Sequence, residues 1–164
     1  MRMDALSSDL RRTLFEWSDD PFQSKAWGLT WRPKEHHVLL YEEDRAVAHV
    51  GLVRATVLVG GVPLAVGGLG QVVTLPEFQG RGFGKACVQE AERVLRQEWG
   101  LRHGLLFCFP RLKAFYEALG WVARREPVWI WQPQGRVAFP EFSMAREWGA
   151  EWPEGEIEVG GMPW

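Results

Sequence analysis

Apolar residues return along this chain at two different periods. Leu6, Leu10, Leu14 and Trp17 lie at helical spacing, with Asp4 as a candidate cap and Ser18-Asp19-Asp20-Pro21 as the break. From Phe22 to Pro33 no period dominates, and Ser24-Lys25-Ala26-Trp27 allows one short helical turn. The apolar runs 37–41 and 46–58 predict strands joined by the turn 42–45. Gly60-Gly61 predicts a hairpin into a further strand over 63–74. Gly67, Gly68 and Gly70 inside it mark a bulge or a close backbone approach. Phe83, Cys87, Ala91, Val94 and Leu95 predict an amphipathic helix over 82–99, and Gly100 suits its stop.

The continuous apolar run 105–109 suits a central strand covered on both faces. Pro110 opens the next helix, which carries Leu112, Phe115, Tyr116 and Leu119 on one face and ends at Gly120. Strands follow at 121–124 and 128–131. The pattern weakens after Gln132-Pro133-Gln134-Gly135, until Glu156 to Val159 alternates as a strand does. Strands and helices in this order predict an α/β (α+β) fold, and 164 residues suit a single domain, 1–164.

Composition narrows the partners. A net charge of −2 without a run of like charge argues against a nucleic-acid partner drawn by bulk charge. Residues 1–15 lack a signal-peptide pattern, and no apolar stretch is long enough to span a bilayer. Cys87 and Cys108 form no Cys-x-x-Cys pair. A soluble cytoplasmic protein with two free thiols is expected, without membrane attachment. Ten tryptophans are enough to fill a core and also line a pocket for a flat or apolar ligand.

The chemistry concentrates at Gln79-Gly80-Arg81-Gly82-Phe83-Gly84, between a strand and a helix. Bare glycine backbone and the unpaired first amides of a helix can hold phosphate oxygens, and Arg81 can add a positive charge. A triphosphate loop needs four residues before Gly-Lys-Ser/Thr. Here Gly80 and Gly84-Lys85 enclose three, and Ala86 follows. The alternation Gly80, Gly82, Gly84 also misses the dinucleotide fingerprint. A glycine turn that merely packs a helix on a sheet is the plain alternative.

The pattern Gln-x-x-Gly-x-Gly resembles the pyrophosphate loop of the GCN5-related N-acetyltransferase (GNAT) superfamily. Ala114-Phe115-Tyr116-Glu117-Ala118-Leu119-Gly120-Trp121 resembles a second segment of that superfamily. The resemblance is tight over 72–121. It implies a mixed, mostly antiparallel sheet splayed in the middle, flanked by helices, with acetyl-CoA as co-substrate and no metal. Strands 65–74 and 105–109 would part beside the loop. The pantetheine arm would pair with Val72, Val73 and Thr74. The pyrophosphate would rest on Gln79, Gly80, Arg81, Gly82, Phe83 and Gly84. Tyr116 would be the general acid for the leaving thiolate; its plain alternative is packing.

Within the superfamily the layout looks most like the aminoglycoside 2′-N-acetyltransferases. The shared features are Ala46-Val47-Ala48-His49-Val50, Arg111-Leu112-Lys113-Ala114-Phe115-Tyr116 and the last residue, Trp164. In that family the terminal tryptophan's carboxylate reaches the amino-sugar. A frayed tail or a dimer contact is the alternative for Trp164 here. Two acidic positions differ: Ala26 precedes Trp27, and Gly70-Gln71 stands where an acid is expected. Asp20 lies near a third. The resemblance thus implies a primary amine of a small molecule as acceptor, an aminoglycoside-like amino-sugar or a less cationic amine, met by Gln71, Trp27, Asp20 and Trp164. It also implies a homodimer.

The proton acceptor stays open among Glu42, Glu43 and Glu77, each of which also reads as a solvated turn acid. His36, His37, His49 and His103 have no metal spacing. A covalent acetyl-Cys108 competes with a small buried thiol. Two rival functions stand beside amine acetylation: a non-catalytic CoA-binding module, and transfer of a longer acyl group.

Overall fold

The computed structural model describes residues 2, 3 and 5–164, with side chains from residue 5 onward. Ten strands form one curled sheet, in the order β6-β9-β5-β4-β3-β10-β7-β8, with β2 on the other half of β3 and β1 beyond β2. The strands are β1 (Arg2–Met3), β2 (His36–Glu42), β3 (Arg45–Val59), β4 (Val62–Thr74), β5 (His103–Cys108), β6 (Val122–Arg124), β7 (Val128–Gln132), β8 (Gly135–Ala138), β9 (Phe142–Glu147) and β10 (Ile157–Glu158). The helices are α1 (Ser8–Phe15), α2 (Phe83–Arg93) and α3 (Lys113–Glu117), and a π-helical turn over Val94–Glu98 prolongs α2.

The longest apolar run, β3, is buried at every residue from Ala46 to Val53 because helices cover both faces there. On one side, Val38, Ala48, Val50 and Leu52 pack with Cys87, Val88 and Ala91 of α2. On the other, Leu39 and Ala46 pack with Leu6 and Leu14 of the α1 segment. The expected cap Asp4 lies outside the described residues. Ser7 is the N-cap, and its Oγ accepts from the Leu10 amide at 3.2 Å.

Most junctions are antiparallel; the parallel ones are β4–β5 and β7–β10. The β4–β5 ladder joins only Gly67–Leu69 to Gly104–Leu106. Beyond Leu69, β4 stays paired with β3 as far as Thr74 while β5 turns to β9. The fold is thus the splayed, mostly antiparallel sheet implied by the sequence.

Each glycine inside β4 has a tight neighbour. A Cβ on Gly67 would meet Leu95 of the α2 extension at 2.7 Å, and one on Gly68 would meet the Trp164 indole at 2.1 Å. A bulge follows: Gln71 and Val72 stand opposite Val50 alone, and Gln71 takes φ +50°. Both sequence-derived alternatives for the glycines, bulge and close approach, therefore occur.

The C-terminal third holds two strands, β8 and β9, that the hydrophobic pattern left unassigned. β9 pairs with β5 over its whole length, His103↔Glu147 to Cys108↔Phe142. The weak alternation at 156–159 becomes β10, a two-residue bridge between β3 and β7. Trp164 is not frayed: it is 2% exposed, and its Nε1 donates to the Leu105 carbonyl at 3.2 Å.

Candidate active site

Where β4 and β5 part, a cleft of about 760 Å³ opens. Val72, Val73 and Thr74 form one wall, followed by Gln79, Gly80, Gly82, Phe83 and Gly84. Because the ladder to β5 stops at Leu69, the far edge of Gly70–Thr74 has no strand partner among the described residues. That edge keeps its backbone groups for a guest chain. Gly80 (φ +74°) and Gly82 (φ +87°) adopt the left-handed conformation that glycine accommodates, and a Cβ on either would stand in open space. The Gln79 side chain braces the turn, its Nε2 donating to the Thr74 carbonyl at 3.0 Å. α2 begins at Phe83, so its first amides open at this loop. Bare backbone, a helix start and an unpartnered strand edge together suit a diphosphate with an amide-bearing tail.

Arg81 is placed differently from the other loop residues. Its guanidinium is engaged by the Glu42 carboxylate and lies over the rings of Phe78 and Phe83, 5.3 and 5.1 Å from their centroids. It does not line the cleft.

Tyr116 of α3 lines the same cleft as Val72–Thr74 and is 5% exposed, packed in the core cluster beside α2. Burial, with Cys108 nearby, drives its hydroxyl well above the ordinary tyrosine value. It therefore remains a proton donor at neutral and mildly alkaline pH. Burial also pushes the Cys108 thiol up to about 12, and its Sγ donates to the Phe109 carbonyl at 3.0 Å. A thiol held protonated in this way is a poor nucleophile.

The opposite wall comes from the unperiodic segment between α1 and β2. Trp27 and Trp31 line the cleft, with Trp27 stacked on Phe109 at 3.9 Å between centroids. A single 3-10 turn, Lys25–Trp27, presents Trp27. Asp20 does not line the cleft; it caps that turn, accepting from the Ser24 and Lys25 amides, each at 3.0 Å. Gln71 and Trp164 do reach the cleft. Glu42 and Glu77 are held by Arg81 and Arg45, and neither they nor Glu43 line it.

Two features went unread in the sequence. His49 Nδ1 donates to the Gln71 carbonyl at 2.8 Å, and its Nε2 lies 2.9 Å from His37 Nδ1. A carbonyl can only accept, so His49 is the Nδ1–H tautomer and His37 donates to it. The only hint was a polar ring inside an apolar strand. The second feature is Lys34, whose side chain crosses the paired glycines Gly51 and Gly70. Nothing around Lys34 in the sequence announces that contact.

The sequence model of the acetyltransferase (GNAT) family matches residues 3–121. The chain belongs to that family. It is 25% identical over 136 residues to an aminoglycoside 2′-N-acetyltransferase of Mycolicibacterium fortuitum. That match spans 80% of this chain and 65% of the relative's length. Among solved structures, a GNAT acetyltransferase of Brucella melitensis in complex with acetyl-CoA superposes with TM-score 0.57 and 19% identity, over 96% of this chain and 93% of that one. Escherichia coli YhbS in complex with CoA gives 0.61 and 17%, over 97% and 88%. These structural likenesses establish the fold. No helix among the described residues is long and apolar enough to cross a membrane.

Proposed function

We propose that this protein is an N-acetyltransferase that moves an acetyl group from acetyl-CoA to a primary amine of a small molecule. The observation that carries the reading is the three-pair β4–β5 ladder opening beside a bare glycine loop and facing Tyr116. The cofactor named with the Brucella melitensis structure, acetyl-CoA, has a shape that suits this cleft. Amides of residues 80–84 would hold its pyrophosphate, and the free edge of Val72–Thr74 its pantetheine arm. When bound it supplies the activated acyl carbon.

The rest falls to this chain's own residues. The cleft aligns a neutral amine on that carbon; a C–N bond forms and the C–S bond breaks. Tyr116 gives its proton to the departing sulfur, and the amine sheds one, so the products are an amide and a free thiol. The Mycolicibacterium fortuitum relative supports an amine as acceptor. Among the described residues, no Asp or Glu side chain lines the cleft to hold a polycation.

The test is release of free CoA thiol across amines that include aminoglycosides, polyamines and amino-acid derivatives. Turnover that depends on Tyr116 supports the reading. CoA binding without thiol release from any amine would replace it with a non-catalytic CoA-binding module. Faster release from longer acyl donors would replace acetyl by another acyl group.

A further inference from the structure

We infer that Glu92 is the positioning residue for Tyr116: through Trp121 and Arg146 its buried carboxylate fixes the short helix α3, with the hydroxyl that helix carries, relative to the glycine loop. This deepens, and rests on, the acetyl-transfer reading above.

The inner face of α2 is apolar at Cys87, Val88 and Ala91, and Val94 and Leu95 continue it. Glu92 is the exception, a charged side chain only 6% exposed beside them. A carboxylate is costly there unless its oxygens are matched. Oε1 accepts from Trp121 Nε1 at 2.6 Å, and Oε2 stands 3.5 Å from Arg146 Nε.

Both partners lead to the turn that ends α3. Trp121 donates its amide to the Tyr116 carbonyl at 3.1 Å, and its ring meets the Tyr116 ring edge-on at 6.4 Å between centroids. Arg146 Nη1 donates to the Gly120 carbonyl at 3.1 Å. The sheet makes room for the indole: a Cβ on Gly104 of β5 would come within 2.7 Å of Trp121 Cη2.

α3 has five residues, too few to hold an orientation by its own hydrogen bonds. Its direction comes from what grips its end. Glu92 grips it from a longer helix that begins at the glycine loop. From Phe83 to Glu92 that helix rises about 14 Å at 1.5 Å per residue. α2 therefore spaces the loop from Tyr116, and Glu92 is where Tyr116 is fastened. A general acid must come within hydrogen-bond reach of the departing sulfur, and a shift of about 1 Å costs a large factor in rate. An apolar side chain at position 92 would fill the core and leave that spacing unset.

The experiment measures thiol release from acetyl-CoA at saturating amine, with whichever of kanamycin, spermidine and tryptophan amide reacts fastest, and CoA affinity by calorimetry. Glu92→Leu should lower kcat about tenfold, with the Kd for CoA within about twofold of wild type. Glu92→Gln keeps an oxygen for the Trp121 indole and should stay within about threefold in kcat, a change below one hydrogen bond. The decisive comparison repeats Glu92→Leu in a Tyr116→Phe background. With no hydroxyl left to place, the added loss there should be under about twofold. An equal loss in both backgrounds, or a CoA affinity that falls as far as kcat, overturns the inference while leaving acetyl transfer standing. Where Glu92→Leu does not fold, Trp121→Phe removes the indole donor, keeps a ring and carries the same expectations. If neither folds, the pair is structural alone and the inference falls. Full turnover in Tyr116→Phe removes the acid and this inference; absence of turnover with every amine removes acetyl transfer as well.

Discussion

The imidazole of His49 fixes the carbonyl of Gln71, the residue that the bulge in β4 forces to φ +50°. His49 is fully buried, and Phe15 meets its ring edge-on at 5.0 Å between centroids. Phe15 in turn touches Phe22, which lines the cleft. One ring therefore ties the bulge to the acceptor wall. His49→Leu would leave the Gln71 carbonyl unpaired, at a cost of about 1–3 kcal/mol. It should lower thermal stability and, by letting the bulge relax, reduce kcat more than it weakens CoA binding. Calorimetry and steady-state kinetics on one preparation would check this.

The same pair makes folding sensitive to acid. Burial is the first cause that lowers both rings, His37 to about 4 and His49 to about 3, from the ordinary 6.5. In the unfolded chain both rings take up protons as pH falls through 6.5, while in the folded chain these two rings take up none until about pH 4. Unfolded binding then exceeds folded binding, so stability drops as the pH is lowered across that window. Denaturant titrations from pH 7.5 to 4 should show this slope, and a His37→Phe/His49→Leu double variant should flatten it.

Tyr116→Phe should lower kcat by about 100-fold or more, the scale of a lost general acid, with CoA affinity nearly unchanged. Because burial raises its hydroxyl, wild-type activity should not decline at the ordinary tyrosine pKa near 10. Unaltered turnover in Tyr116→Phe would remove it from the mechanism. A pH–rate profile of kcat covers both points.

Cys108→Ala should keep most of the activity, because its thiol stays protonated up to about pH 12. An acyl-enzyme route would instead be abolished. Mass spectrometry of the acetyl-CoA-treated protein should find no acetylated cysteine.

Gly84→Val tests the loop. A Cβ there would already lie 3.0 Å from Thr74 Oγ1, and two further methyls would crowd the helix start. KM for acetyl-CoA should rise about tenfold or more as oriented amides are displaced, with kcat at saturation less affected. An unchanged KM would move the diphosphate elsewhere.

The strand–loop–helix side of the cleft was legible in the chain because it is local. Strand, glycine loop and helix are contiguous from Val62 to Arg93. Tyr116 was legible because its spacing to Gly120-Trp121 is short. The acceptor side was not, because it is assembled across distance. Lys34 needs Gly51 and Gly70, and His49 needs Gln71; each pair meets only through strand register. β9 escaped notice because Phe142–Glu147 mixes polar and apolar residues, and its place is set by β5. Asp20 was read as facing substrate, yet its carboxylate is taken by two amides. A short polar side chain before a turn suits either use, and sequence does not say which.

The two walls of the cleft are of different make. One is a hydrogen-bonded sheet; the other, 17–34, hangs between α1 and β2 with a single 3-10 turn as its regular structure. Rewriting the second leaves the sheet and its glycine loop untouched. A lineage could therefore exchange one acceptor for another by redrafting a few loop positions, keeping its energy source while changing its clientele.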